Sequence, residues 1–290
     1  MQTAVKERSS VKLSESQRAA LLSFLADEDP AIYQVVRDQI LSHGPAACEW
    51  LRSHLLSADP LVRRRAQEIV NRLARGQGDT QFLDFCLHHG EELDLEKAVF
   101  LLAQTQYPEI NPTAYRALLD DYAGELREWL ALSNPQERLL TRINEYIFTQ
   151  LSFTGNMENY YDPENSFLNR VLDRRTGNPI SLSLVYLLLA QRLGLPVCGI
   201  GLPGHSLCRY LSAVEEVYVD AFNLGKLLTR SECMDHLARC HHEGREEYLK
   251  PMSTRRMLAR MCGNLEQIYL ELKQTDDAAR VQRYLFALTR

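Results

Sequence analysis

Residues 174–210 read RRTGNPISLSLVYLLLAQRLGLPVCGIGLPGHSLCRY, and this stretch decides the fold. Asn178 is a good helix N-cap and Pro179 suits the first helical position, so a helix is predicted to begin here. The residues that follow, up to Leu193, are apolar on almost every side, which is typical of a helix that is buried all round. Gly194 is the kind of residue that ends many helices. The stretch therefore predicts a buried central helix.

Short β-like segments follow this helix. The apolar and β-branched residues predict three strands, at 197–202, 205–211 and 217–222. A hairpin between the second and third strands would bring His205 and Asp220 onto adjacent strands. A register slip of one residue would turn one of these two side chains to the opposite face of the sheet. The sequence therefore leaves open whether the two side chains meet.

Ser181, His205 and Asp220 form the candidate catalytic set. A nucleophile at a helix start, followed by His and Asp on consecutive strands, has the order of a thiol–His–Asp triad. Ser181 lies in the first helical turn, where the helix dipole stabilises an anion. A hydroxyl also needs a base, so His205 would have to take its proton. A hydrogen-bonding role in that turn is the alternative for Ser181. Cys198 and Cys208 are interpreted as strand core residues.

The composition limits the class of protein. The chain has 290 residues, a formal net charge of -5 and 45% hydrophobic residues, enough for one large domain or two smaller ones. The mild acidity argues against nucleic acid or an anionic membrane as a partner, and no apolar run is long enough for a membrane span. The N-terminus lacks a signal-peptide pattern. Seven scattered cysteines favour reduced thiols in the cytoplasm, and we expect no cofactor.

The N-terminal region carries a weak repeat. Residues 1–12 are predicted to be a mobile tail, and Asp-Pro pairs at 29–30 and 59–60 each open a predicted helix. The repeat resembles HEAT-type helical hairpins, so residues 13–93 are predicted to form a HEAT-like layer. Three arginines at 63–65 lie in the second copy. An anion-binding patch and a solvated helix face are the alternatives, and the negative net charge favours the solvated face.

The C-terminal region predicts more helices. Thr229 and Glu232 have the spacing of a capping box, which predicts a helix to about residue 242. One face of this helix carries three residues that could bind a soft metal, with His241 beside them: Cys233, His236 and Cys240. Ligands from a single helix rarely complete a tetrahedron, so no metal site is predicted. Residues 251–290 predict two amphipathic helices that resemble one tetratricopeptide-like hairpin.

Several motifs of the central region resemble one bacterial family. They are FTGN at 153–156, YDPENSFLN at 161–169, GNPISL at 177–182, RLGLPV at 192–197, LPGH at 202–205 and VDAFN at 219–223. Together they are similar to the SirB-type transglutaminase-like family, and the resemblance covers most of residues 95–285. The chain departs from the usual sequence pattern of the family at Ser206 and Ala221, where Phe and Pro are common.

The resemblance implies a transglutaminase-like core over residues 94–250. In that fold a nucleophilic Cys opens a buried helix, and a His and an Asp follow on consecutive strands. The nucleophile position falls at Ile180 or Ser181, so the catalytic Cys is not present in this sequence. His205 and Asp220 match the family's His and Asp positions.

The predicted fold class is α+β and mostly helical, with HEAT-like N-terminal helices, a transglutaminase-like core holding a small antiparallel sheet, and a C-terminal helical hairpin. The predicted function is non-catalytic binding of a protein or peptide partner in the cytoplasm, through the ancestral cleft. The alternative is an acyl-transfer or amide-hydrolase enzyme that uses Ser181 with His205 and Asp220. Six further polar residues are candidate binding residues: Asn156, Tyr161, Asp162, Asn165, Asn178 and Asn223.

Overall fold

The computed structural model describes residues 13–91, 93–132, 138–213, 216–241 and 245–290. The tail predicted at residues 1–12 lies outside this part of the chain. The chain divides into two compact units, of which the first runs to Gln81 and includes 104–108. The second comprises 82–103 and 109–290. The domain boundaries proposed from the sequence, near residues 93 and 250, stay predictions.

The first unit is helical. Its helices are α1 Glu15–Leu25, α2 Pro30–Ser42, α3 Pro45–Leu51 and the first part of α4 Pro60–His88. The carboxylate of Asp29 accepts a hydrogen bond from the Ala31 amide at 2.8 Å, and that of Asp59 accepts one from the Leu61 amide at 2.8 Å. Both Asp-Pro pairs therefore cap and open a helix. The core of the unit is fully buried at Leu25, Ile40, Leu51, Ala66 and Ile69.

Arg65 corrects the interpretation of the three arginines at 63–65. The first two are exposed, but Arg65 is only 6% exposed. Its Nη1 donates to the carbonyl of Leu25 at 2.9 Å and also to the carbonyl of Asp27. Its guanidinium lies 4.3 Å from the centre of the Tyr33 ring. The solvated-face interpretation is therefore wrong for Arg65, because tertiary contacts draw one arginine of the run inside.

The remaining helices include one that is apolar on nearly every side. They are α5 Leu95–Gln106, α6 Pro112–Ala131, α7 Leu139–Glu145, α8 Leu168–Arg174, α9 Pro179–Arg192, α10 Arg230–Arg239, α11 Thr254–Glu271 and α12 Thr275–Thr289. The central helix predicted from the sequence is α9, and every residue from Pro179 to Ala190 is buried. Gly194, just beyond it, has φ +70. Among the described residues, no helix is both long and apolar enough to cross a membrane.

Two small sheets complete the fold. Strand β1 Thr154–Gly155 pairs in parallel with β2 Thr176–Gly177. The second sheet is antiparallel and has the order β3–β4–β5–β6, with strands Val197–Leu202, His205–Leu211, Glu216–Asp220 and Lys226–Leu228. Strand β5 ends before the predicted residue 222, because Asp220 caps a short 3-10 turn at 221–223. Strand β6 was not predicted. The mostly helical α+β class is confirmed.

The four-stranded sheet has a different helix on each face. Gly199 pairs with Cys208, so these two residues point to the same face. On that face the Cys208 thiol lies 3.5 Å from the carbonyl oxygen of Ser183 in α9, and a Cβ on Gly199 would contact the side chain of Leu187. The other face packs against α10 through Ile200, Leu202, Leu207, Tyr218, Cys233 and Leu237.

Candidate functional site

His205 and Asp220 are in direct contact. The Nε2 atom of His205 lies 2.9 Å from Oδ2 of Asp220. The ladder pairs Cys208 with Val219, so continuing it by one pair would place Asp220 opposite Leu207, on the same face as His205. This register answers the question that the sequence left open. Because the carboxylate accepts, Nε2 carries the proton, and Nδ1 makes no hydrogen bond within the described residues.

Asn223 holds the other side of the Asp220 carboxylate. Its backbone amide donates to Oδ1 at 3.2 Å, and its side-chain amide donates to Oδ2 at 2.7 Å. Burial alone would favour the neutral acid, but the hydrogen bonds and charge of His205 and the hydrogen bonds of Asn223 outweigh it. The pKa of Asp220 is therefore below its usual range. The carboxylate stays charged and fixes the imidazole in one tautomer.

The pair opens into a cleft of about 630 Å³ beside α10. The floor is apolar and the rim is charged, and the lining includes Leu202, Leu207, Leu228, Cys233, Lys226, Glu232, Asp235, His236 and Arg239. The ring centre of His236 lies 6.3 Å from that of His205. Burial lowers the pKa of His236, and the charges of His205 and Arg239 lower it further. His236 therefore tends to stay neutral, as a partner for hydrogen bonding and ring stacking.

Ser181 is not bonded to the His–Asp pair. Its hydroxyl donates to the carbonyl of Asn178 at 3.1 Å and accepts from the Asn178 amide at 3.0 Å. In return, the Ser181 amide donates to Oδ1 of Asn178 at 3.0 Å. The residue is fully buried, and its helix packs on the face of the sheet away from His205. The described residues contain no hydrogen bond from Ser181 to His205 or Asp220.

Replacing Ser181 with alanine is expected to lower the free energy of unfolding by about 1 kcal/mol, because it removes one half of a reciprocal helix cap. Ser183→Ala on the same helix is the matched control. Its hydroxyl donates to the carbonyl of Pro179 at 2.8 Å, an acceptor that already lies in the helical ladder. Urea denaturation of both variants measures the difference. Equal losses would contradict the capping role.

The thiols near the site are poor nucleophiles. Burial raises the pKa of Cys208, which is fully buried. Burial, with the charge of nearby carboxylates, raises the pKa of Cys233 to about 12. Burial also raises the pKa of Cys198, against the opposing effect of Arg209. A thiol with a raised pKa stays protonated near neutral pH, and the thiolate is the reactive form.

Three of the six predicted binding residues hold the loop at 156–166. Asn156 donates from Nδ2 to Oδ1 of Asn165 at 3.0 Å, and Asn165 donates to the carbonyl of Asn159 at 2.8 Å. Asn178 donates from its side chain to the Ser166 hydroxyl at 2.9 Å. These amides are buried and satisfied by the protein itself. They shape the loop and offer little to a ligand.

The other three predicted binding residues have different settings. Asp162 accepts from Arg174 at 2.8 Å, in an ion pair on the outside of the loop. Tyr161 is half-exposed, with 52% of its surface accessible. Asn223 is exposed while its amide groups hold Asp220. Of the six predicted binding residues, Tyr161 and Asn223 are the ones exposed at the surface.

Two aromatic residues and one histidine were missed as site residues. The Phe222 ring centre lies 6.2 Å from that of His205 and 5.9 Å from that of Tyr160. Tyr160 in turn meets Tyr161 at 5.3 Å. A continuous row of rings thus leads from His205 to the surface. Phe222 lies two residues after Asp220 in the VDAFN motif, whereas no sequence pattern points to Tyr160. His236 had been weighed only as a metal ligand.

The potential metal ligands on α10 do not assemble. Cys240 lies 3.7 Å from Nε2 of His236, but Cys233 is buried against the apolar face of the sheet. No group of three or more His, Cys, Asp or Glu side chains that could hold a metal ion occurs in the described part of the chain.

The buried helix, the sheet and the His–Asp pair on adjacent strands are the features expected of a transglutaminase-like protein. A sequence profile of the transglutaminase-like superfamily matches residues 113–263. The chain belongs to this superfamily.

Its relatives are mainly bacterial proteins. A UPF0162 protein of Xylella fastidiosa (strain Temecula1) is 34% identical over 197 residues, which cover 66% of this chain and 70% of the relative. The UPF0162 protein PA3419 of Pseudomonas aeruginosa is 29% identical over 182 residues, or 60% of this chain and 64% of the relative. F-box only protein 21 of Mus musculus is 38% identical over 138 residues, or 45% of this chain and 22% of the relative. No solved structure matches significantly.

Proposed function

We propose that the chain is a SirB-type member of the superfamily that binds a protein or peptide partner without covalent chemistry. One observation carries the proposal. In the described residues, the His205–Asp220 pair lines an open cleft, while the candidate hydroxyl nucleophile is buried in a helix cap. A base without an accessible nucleophile is suited to hydrogen bonding with a ligand and unsuited to acyl transfer.

The chemistry of the cleft supports a peptide as the ligand. Peptides present apolar side chains and a polar backbone, and the cleft combines a floor of leucines with a rim of both charges. Tyr161, half-exposed at the end of the row of rings that begins at His205, offers a further aromatic surface, and tyrosines are common at protein interfaces. The seven cysteines are free thiols, as expected for a protein of a reducing compartment such as the cytoplasm.

Peptide binding can be tested with a displayed random peptide library selected on the purified protein. Selected peptides are expected to lose about tenfold in affinity, or about 1.4 kcal/mol, for the His236→Ala variant, because His236 lines the cleft. His88→Ala is the control, since His88 is exposed and outside the cleft. Fluorescence anisotropy with labelled peptides measures both. Failure to select any peptide, or equal affinity for His236→Ala, would contradict the proposal.

Covalent chemistry can be tested separately. A fluorophosphonate probe for hydroxyls and an iodoacetamide probe for thiols are expected to give no labelling that depends on His205. Ser181→Ala, Cys233→Ala and His205→Ala provide the comparison. Labelling that is lost in both Ser181→Ala and His205→Ala would instead favour the acyl-transfer or amide-hydrolase alternative.

A further inference from the structure

Arg260 ties the C-terminal helical hairpin to the turn that precedes His205. It lies on α11, and its Nη2 donates to the carbonyl of Leu202 at 2.8 Å and to the carbonyl of His205 at 2.9 Å. Leu202 and His205 are the last pair of the β3–β4 ladder, on either side of Pro203-Gly204. One guanidinium thus joins both ends of the turn.

Arg260, like Arg65, donates to backbone carbonyls. It is partly buried, and the described residues give it no carboxylate partner. Burial lowers the pKa of Arg260, and the positive charge of Arg256, one helical turn away, lowers it further. A buried arginine is ordinarily matched with a carboxylate or phosphate. In this protein the carbonyl oxygens of Leu202 and His205 accept from the Arg260 guanidinium instead, so its positive charge lies against the β3–β4 turn.

The strand leaves room for this contact at Gly201. A Cβ at this position would lie 2.8 Å from Nη1 of Arg260 and 2.6 Å from the sulfur of Met252. Such distances are far inside van der Waals contact, so a larger residue would push the guanidinium away. The φ angle of Gly201 is not in the left-handed region. Close approach by Arg260 and Met252 is therefore what favours glycine here.

The position of the β3–β4 turn determines the position of the His205 imidazole. His205 is the first residue after Gly204, which has φ +67, a backbone conformation that residues with side chains rarely adopt. The 2.9 Å contact with Asp220 comes from β5, which is held to β4 from Cys208 onward. Among the described residues the β4–β5 ladder begins at Cys208, so the backbone of His205 is paired with Leu202 of β3 but has no support from β5. Arg260 supplies that support from the opposite side.

We infer that Arg260 is a positioning residue for His205: the C-terminal hairpin, through this guanidinium, holds the β3–β4 turn and so keeps the imidazole against Asp220. The C-terminal helices are therefore part of the site and not only a packing unit. The inference rests on the proposed function for its use in ligand binding, but the geometry of His205 tests it directly.

The test compares Arg260→Met with Arg260→Lys and with the control Arg256→Gln. NMR of the labelled protein follows the tautomer of the His205 ring and the titration of the Asp220 carboxyl. In Arg260→Met, the Asp220 pKa is expected to rise toward its ordinary value, and the single Nε2–H tautomer is expected to be lost. Arg260→Lys is expected to restore part of both signals, because an ammonium can donate to two carbonyls. Arg256→Gln is expected to change neither.

A merely structural role gives a different result. If Arg260→Met lowers the melting temperature while the His205 tautomer and the Asp220 titration stay as in the wild type, the positioning role is overturned. Gly201→Ala keeps the charge but displaces the guanidinium, and it is expected to change the same two signals in the same direction. If Arg260→Met does not fold, Gly201→Ala provides the test in its place. Unchanged His205 and Asp220 signals in Gly201→Ala would then overturn the inference.

Peptide affinity separates this inference from the proposed function. If no selected peptide binds the wild type but Arg260→Met still alters His205, the proposed function fails and the positioning role stands. If peptides bind through the cleft and Arg260→Met leaves His205 unchanged, the positioning role fails alone.

Discussion

Replacing Asp220 with alanine is expected to lower the free energy of unfolding by roughly 2–4 kcal/mol at neutral pH. The carboxylate is 5% exposed and accepts hydrogen bonds from His205 and from two groups of Asn223. Its removal leaves three donors without their acceptor. An unsatisfied buried donor costs about 1–3 kcal/mol, and the two donors of Asn223 cost less because this residue is exposed to water. Urea denaturation measures the loss.

The pH dependence of that loss follows from the pKa of Asp220. Its folded-state pKa is lower than that of an unfolded aspartate, about 3.9. The stabilisation is therefore present above that value and is lost as the pH falls through the lower, folded-state pKa. The gap between the wild type and Asp220→Ala is expected to narrow below about pH 4.

Asp220→Asn is the matched control for size. Its amide keeps one acceptor oxygen but no charge, so a smaller loss of unfolding free energy is expected at neutral pH, and this loss is also expected to narrow in acid as the wild-type carboxylate is protonated. Wild-type stability in Asp220→Ala at pH 7 would show that the hydrogen bonds to this carboxylate contribute nothing net to folding.

Replacing Arg65 with alanine is expected to lower the free energy of unfolding of the first unit by about 2–3 kcal/mol. The change removes the donor for the carbonyls of Leu25 and Asp27, and it leaves the Tyr33 ring without its stacked guanidinium. A desolvated cation–π contact contributes up to about 2 kcal/mol, and the aliphatic part of the side chain adds packing.

Arg64→Ala is the matched control, because Arg64 is the exposed neighbour of Arg65. The change in unfolding free energy for Arg64→Ala is expected to stay within about 0.5 kcal/mol, as for most surface substitutions. Thermal and urea unfolding of both variants provide the comparison. Equal effects of the two substitutions would mean that the buried contacts of Arg65 do not stabilise the unit.

The sequence carries enough information to predict α9 and the strands beside it. The apolar run from Ile180 needs burial whatever surrounds it, and Asn178-Pro179 fixes where the helix begins. The cap also has a sequence signature, since Ser181 stands at the position where a side chain returns to the N-cap amide. Strand β6 has only three residues, too short for an alternating pattern to be recognised.

The site itself could be predicted only in part. The candidates His205 and Asp220 are visible as residue types, but their contact depends on a register that the sequence does not specify to one residue. The buried positions of Arg65 and Arg260 could not be predicted from the sequence either. Nothing in a run of arginines tells which one points inward, because that is decided by the elements packed against the helix. The role of α10 as a cleft wall likewise depends on which face of the sheet it covers.

The four-stranded sheet separates α9, a packed core helix on one face, from α10, a helix that lines the cleft on the other. Behind it, α9 is packed so tightly that nearly every substitution there alters the core. In front of it, α10 is a ten-residue helix with few buried residues, and its rim side chains face the cleft. Changes in α10 can therefore alter the cleft while the folding core stays the same. Under the proposed binding function, the sequence of α10 is expected to vary more among homologues than that of α9.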